Sequence, residues 1–317
     1  MRRRSLGLAV GLLAWPARAE RGLVEARRLG LAFGTTFSIR ALHAEARVLQ
    51  AALDAAVAEL RSVQAVLSLF DPDSQLSRLN REGMLRRPDP VLLAVLAEAR
   101  ALWAATAGAF DPTIQPLWRL WAEASARGAR PSEAALAEAR ALVDFAAVEA
   151  DADGLRFRRA GMGLTLNGIA QGHAADRVAA VLRAAGIADA LVDAGEFAAL
   201  GRRGDSAPWQ VGIRDPRRGT GLVGSPVTLE GCLAVSGDDE CAFTADRSEH
   251  HILDPRTGHS PRDLALLAVR APRAALADGL STAGFVVGPA RAEALAARFG
   301  ASVEAWVTKD GAVRRPG

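Results

Sequence analysis

The chain has 317 residues, 50% of them hydrophobic and 24% charged, the mix of a globular protein with ample material for a large core. Mean hydropathy is only +0.10, no apolar run of about 18 or more residues follows the N-terminus, and apolar residues continue throughout, which excludes a polytopic membrane protein and long disorder. The formal charge of +3 comes from Arg2, Arg3, Arg4 and Arg18: setting those four aside from 39 basic residues leaves 35 against 36 acids, a near-neutral body that argues against a nucleic-acid surface.

Residues 1–19, MRRRSLGLAVGLLAWPARA, read as an export signal. A charged start precedes an apolar run, Leu6 to Trp15, too short to span a bilayer permanently. Ala17-Arg18-Ala19 suits a signal peptidase and leaves Glu20 as the new N-terminus. The paired arginines before Ser5-Leu6 fit a twin-arginine signal, and an ordinary secretory signal with a basic start fits as well. No Cys follows the cleavage point, so an exported, periplasmic protein without a permanent membrane anchor is expected. Residues 29–40 read as a strand interrupted at Gly-Thr-Thr, and 44–67 as a helix by apolar spacing. FDPDSQLSRLN is polar and turn-rich. Residues 90–106 form a second helix stopped by Gly108, and Ser132 caps a third over 133–143. Beyond Gly161 strands are expected at 189–193, 209–213, 231–236 and 264–270, with helices at 173–184 and 289–299. No repeat or linker separates the halves, so residues 20–317 read as one mixed α+β domain. Cys232 and Cys241 flank Ser236-Gly237; a tight hairpin there would set them opposite each other, and two separate small buried residues is the other reading.

Five polar stretches sit where a core pattern would prefer apolar residues. In GAFDPT, Asp111 before Pro112 is either a ligand-facing carboxylate or a helix cap. In LNGIAQGHA, two glycines ahead of a helix can turn free N–H groups toward an anion, or form an ordinary strand-to-helix turn with His173 packing locally. Asp193 and Glu196 end an apolar strand. In HHILDPRTG, the adjacent His250 and His251 face opposite ways on a strand and cannot share a metal; one of them facing a cleft could serve as a general base, while Asp254 can satisfy its own turn. In ADGLSTA, Asp278 and Thr282 lie four apart, so on a helix a carboxylate and a hydroxyl share a face and could hold Mg²⁺ through hard oxygens; a first-turn acid with a back-bonded Thr is the structural alternative.

The order and wording of FGTTFSI, LFDPDSQLSRLN, GAFDPTIQPLW, LNGIAQGHAAD, ALVDAGEFAALG, WQVGIRDP, AVSGDDE, HHILDPRTGHSP and ALADGLSTAGFVVG resemble the ApbE family, the FAD:protein FMN transferases once described as thiamine-biosynthesis lipoproteins. The resemblance covers roughly residues 30–310. It implies a single T-fold-like unit with a mixed, largely antiparallel sheet. It also implies Mg²⁺-assisted splitting of FAD, transfer of FMN to a Thr or Ser hydroxyl of a protein acceptor, and release of AMP. By matching position it assigns metal binding to Asp278, Thr282 and the carbonyl of Gly168. FAD contacts fall to Phe33, Ala109, Phe110, Asp111, Gln171 and Ile252, and the base for the attacking hydroxyl to His251. Gln171 stands where many members have a charged residue, Asp193-Ala194-Gly195-Glu196 replaces a shorter Gly-Gly-Asp version, and Asp239 and Cys241 replace a frequent Tyr and Arg. A FAD pyrophosphatase and a non-enzymatic FAD carrier are the other two functions compatible with these residues.

Overall fold

The computed structural model describes residues 22–316; the expected export signal, its cleavage point and Glu20 lie outside them. The segment read as one interrupted strand is part of a hairpin. Strands β1 (Val24–Ala32) and β2 (Thr35–His43) pair antiparallel with Ala32 opposite Thr35. Phe33 and Gly34 make the turn with φ of 52° and 79°, the two-residue form whose twist suits flanking strands. Helix α1 (Ala46–Leu67) follows, its stripe of Leu49, Leu53, Leu60 and Leu67 buried. The polar stretch after it, expected as turn, contains α2 (Gln75–Glu82): Ser74 accepts from the Ser77 amide, and Leu76 and Leu79 anchor one face. Strand β3 (Met84–Arg86) leads to α3 (Pro90–Ala105), started by the Asp89 cap and Pro90.

Helix α4 (Gln115–Ala126) is an addition to the expected elements, with Leu117, Trp121 and Ala124 buried. Helix α5 (Glu133–Arg140) starts at the Ser132 cap and ends at Arg140, short of the expected 143. Strands β4 (Val148–Ala150) and β5 (Gly154–Phe157) join β3 in a three-stranded sheet, and α6 (Ala170–Ala184) begins ahead of the expected 173. Strands β6 (Asp189–Asp193), β7 (Phe197–Leu200), β8 (Trp209–Val211), β9 (Val227–Leu229), β10 (Cys232–Gly237) and β11 (Leu264–Ala271) come next. The chain closes with α7 (Ala274–Val287), α8 (Pro289–Arg298), β12 (Ser302–Thr308) and β13 (Val313–Arg314).

Eight strands form one antiparallel sheet in the order β1-β2-β6-β7-β10-β11-β12-β13. This matches the expected α+β class with a largely antiparallel sheet. Helices α1, α6, α7 and α8 cover one face. On the other, the two-stranded β8–β9 unit closes over Leu42, Leu191, Phe197, Leu233 and Leu266. Because both faces of β10 and β11 are covered, their sequences run apolar without alternation. Strand β10 continues through Ser236 and Gly237, which pair with Leu267 and Leu266. The hairpin that would set Cys232 against Cys241 is therefore absent, and both thiols are free.

Candidate active site

At one end of the large sheet the starts of α6 and α7 cross at close range. A Cβ on Gly172 would overlap the carbonyl of Ala274, so only glycine permits the approach. The crossing is held by exchanged carboxylates. Asp176 of α6 accepts from the first amides of α7, Ala274 and Ala275, at 2.8 and 3.0 Å. Asp278 of α7 accepts from the Gly172 amide of α6 at 3.0 Å. Each helix thus places an acid on its partner's positive end. At Gly172 the free amide expected to face an anion is taken by the Asp278 side chain.

Asp278 and Thr282 line a cleft of about 830 Å³, open solvent at its mouth included. Of the ten residues expected at the site, nine line it: Ala109, Phe110, Asp111, Gly168, Gln171, His251, Ile252, Asp278 and Thr282. Phe33 stands apart. It occupies the β1–β2 turn, its amide donating to Gln64 Oε1 at 2.9 Å, while the exposed Phe70 ring packs over neighbouring Gly34. The cleft draws on the loop before α4, the start of α6, the ends of β7 and β10, the loop after β10, and α7.

The oxygens at Asp278 fit a hard divalent cation. Its carboxylate is 3% exposed and has no basic partner among the described residues. The Thr282 hydroxyl lies one turn on, and a Cβ at Gly168 would sit 2.8 Å from it, which brings the Gly168 backbone against the same side chain. The Ser236 hydroxyl is 3.5 Å from that of Thr282 and 2.8 Å from that of Ser281. Among the described residues no three His, Cys, Asp or Glu side chains cluster as a metal cage. One carboxylate supported by hydroxyl and carbonyl oxygens is a donor set for Mg²⁺, which keeps part of its shell for water or phosphate. Burial, and the negative charge of Glu240, hold Asp278 protonated well above the usual carboxylate range. A bound cation removes that penalty.

His250 and His251 do not lie on a strand that would face them opposite ways: His250 forms an isolated bridge to Ala242, and the two rings meet edge to face with centroids 6.2 Å apart, yet their surroundings differ. His251 lines the cleft, its amide bonded to the Cys241 carbonyl at 2.9 Å. Burial lowers its pKa, opposed by the Cys241 carbonyl and Asp239, and Nδ1 has no hydrogen-bond partner. The ring is neutral at neutral pH and able to accept a proton. His250 is fully buried, with Ile252 N donating to its Nδ1 and the Phe285 ring edge-on at 5.5 Å. Burial takes its pKa down to about 3. His173 is also buried away from the cleft, and Asp254 ties its own turn through Arg256.

Asp111 combines both of its readings. It caps the turn beginning at Pro112 by accepting from the Thr113 amide at 2.8 Å, binds Trp103 Nε1 at 3.1 Å, and still lines the cleft. Burial raises its pKa despite those bonds. Gln171 lies over Gly195, whose φ of +100° admits no side chain there. Glu196 also reaches the cleft and accepts from the Val235 amide at 3.1 Å; burial and Asp278 raise its pKa. Asp193 turns back to the Gly195 amide and is outside the cleft.

Sequence reasoning did not single out Glu240, a further lining residue whose pKa burial and Asp239 push up to about 7. Its signal was the Asp238-Asp239-Glu240 run after an apolar strand. Asp238, fully buried, receives both Arg217 nitrogens at 2.8 and 2.5 Å and Lys309 Nζ at 2.7 Å. Asp239 pairs with Arg214 at 2.6 Å. The cleft wall thus contains four carboxylates, Asp111, Glu196, Glu240 and Asp278, and no Lys or Arg.

The profile of the ApbE family matches residues 33–307. A FAD:protein FMN transferase of Treponema pallidum is 35% identical over 87% of this chain and 82% of its own length. A FAD:protein FMN transferase of Haemophilus influenzae is 32% identical over 74% and 71%. The apo crystal structure of the Pseudomonas stutzeri flavinyl transferase ApbE superposes with a TM-score of 0.78 at 31% identity, covering 92% of this chain and 93% of that one.

Proposed function

This chain belongs to the ApbE family, and from that premise we propose that it is a FAD:protein FMN transferase that uses Mg²⁺ to move FMN onto a Thr or Ser hydroxyl of a protein acceptor, releasing AMP. The observation that carries the reading is the make-up of the cleft: four acidic side chains, a neutral His and no Lys or Arg to meet the charge of a phosphate. A pyrophosphate enters such a wall only with a cation, and the Asp278, Thr282 and Gly168 oxygens are the set to hold it. When bound, Mg²⁺ offsets the charge that grows on the departing phosphate.

The chain's own residues do the rest. His251 takes the proton of the acceptor hydroxyl. The oxygen bonds to the phosphorus of the FMN half, the P–O bond to the AMP phosphate breaks, and AMP leaves with the electron pair. A positioned base contributes about 10²–10⁴ in rate. Asp111, fixed by Thr113 and Trp103, presents its carboxylate to FAD, and Ile252 and Phe110 give the cleft apolar wall for its rings.

The test is to incubate the protein with FAD, Mg²⁺ and a Thr-bearing acceptor. AMP is expected to appear only with the acceptor, in step with flavin attached to it, and Asp278→Ala to abolish metal-dependent AMP release while unfolding cooperatively. AMP without acceptor would instead make the enzyme a pyrophosphatase, and intact bound FAD a carrier. The proposal also sites catalysis in the periplasm, supported by the leader-like residues 1–19. Mass spectrometry of the exported protein is expected to find Glu20 first, and a Met1 start on cytoplasmic protein would refute it.

A further inference from the structure

We infer that Glu240 accepts a hydrogen bond from a sugar hydroxyl of FAD beside the pyrophosphate, and so helps select this substrate; the inference rests on the FAD reading above. The acidic run after β10 divides its labour. Asp238 is saturated by Arg217 and Lys309, and Asp239 takes Arg214. Glu240 alone of the three lines the cleft, and among the described residues no hydrogen bond or ion pair reaches its carboxylate. The cations nearest to it are already committed to its two neighbours. Half-buried in the cleft wall and given no donor by the described residues, the carboxylate is placed to take one from the occupant of the cleft.

The position of Glu240 narrows which donor that is. It lines the same cleft as Gly168, Asp278 and Thr282, whose oxygens would receive the metal and pyrophosphate. The donors of FAD nearest the pyrophosphate are hydroxyls: the ribityl chain on one side and the ribose diol on the other. The flavin imide and the adenine amine lie at the far ends. The ion pairs at Asp238 hold the strand end in place, so Glu240 meets the ligand without a loop having to order first.

Binding measurements separate the possibilities. Parent, Glu240→Ala and Glu240→Gln proteins are titrated calorimetrically with FAD, FMN and AMP in the presence of Mg²⁺, and with Mg²⁺ alone. Glu240→Ala is expected to weaken FAD binding about 10- to 100-fold, the range for a hydrogen bond to a charged group. Glu240→Gln, which keeps an acceptor but not the charge and preserves the wall, should lose less. Loss confined to FMN assigns the ribityl hydroxyls, and loss confined to AMP assigns the ribose. Unchanged FAD affinity in Glu240→Ala overturns the inference, as does equal weakening of FMN and AMP. A parallel loss of Mg²⁺ binding overturns it too, by assigning Glu240 to the cation. A parent that binds no FAD overturns the transferase reading itself and this inference with it.

Discussion

His250 and His251 are neighbours in the chain with opposite environments, and this separates two kinds of mutational loss. His251 faces the cleft as a neutral ring, so His251→Ala is expected to bind FAD with nearly unchanged affinity and to lose about 10²–10⁴ in transfer rate. Flavin fluorescence titration and single-turnover transfer measure the two quantities; transfer at the parent rate would remove His251 from the base role. His250 is not a neutral control. It fills the core against Phe285 and accepts from the Ile252 amide, so His250→Ala is expected to cost about 2–4 kcal/mol of stability, read in a urea titration. A stability within a few tenths of a kcal/mol of the parent would mean the core closes over the gap. Adjacency suggested rings on opposite faces of a strand, but the segment is a bridge and a bend, and the rings meet edge to face with centroids 6.2 Å apart. Adjacency could not tell which one meets solvent, because that depends on α7 supplying Phe285.

The two crossed helices make one element of the site. Asp176 caps α7 and Asp278 caps α6, and the exchange needs Gly172 at the contact. Gly172→Ala drives a methyl into the Ala274 carbonyl and is expected to cost about 1–3 kcal/mol while weakening Mg²⁺ binding through displacement of Asp278. Parallel denaturation and Mg²⁺ titration check it: a stable variant with normal Mg²⁺ affinity would show that the crossing is loose. Helices such as α1, α3, α6 and α8 were legible because each bears an extended apolar stripe. Helix α2 was hidden by its polar faces, with only Leu76 and Leu79 buried, and α4 by Pro116 in its first turn. The hairpin was missed because Leu29 and Leu31 on β1 are apolar yet 63% and 77% exposed, so the apolar pattern ran on across the turn. Residues of six separate motif segments converge on one cleft. Glu240 stayed hidden because an Asp-Asp-Glu run reads as a solvated surface until the partners of its first two members are known.

Across the whole molecule, buried acids and buried imidazoles pull stability in opposite directions with pH. His173, His250 and His251 have lowered pKa values, so the unfolded chain binds more protons below about pH 6.5 and their effect favours folding as pH rises to that point. Asp278, Glu196 and Glu240 have raised values, so the folded chain holds protons that the unfolded chain has released, and their contribution is lost as pH rises through the folded pKa, about 7 for Glu240. Above about pH 7 the imidazoles no longer contribute, and the carboxyls, joined toward pH 8.5 by the raised thiols of Cys232 and Cys241, act in one direction. The metal-free protein is therefore expected to melt at progressively lower temperature from about pH 7 to 8.5, with Mg²⁺ raising the melting point most at the alkaline end. Thermal scans with Mg²⁺ and with chelator decide it, and an equal Mg²⁺ increment at both ends would contradict the coupling.

The ion pairs at Asp238 have a practical consequence. Lys309 is the only lysine in the chain, and its side chain is 23% exposed with Nζ bonded to Asp238 and the Arg247 carbonyl. A lysine-specific protease has a single internal bond to cut, after Lys309, and reaches it only when that corner opens. Cleavage releases residues 310–317 as one peptide, so its rate follows the opening of the β12–β13 end without any introduced label. Amine-reactive reagents likewise have one side chain to find, and its protection in the native state makes this protein its own unfolding gauge.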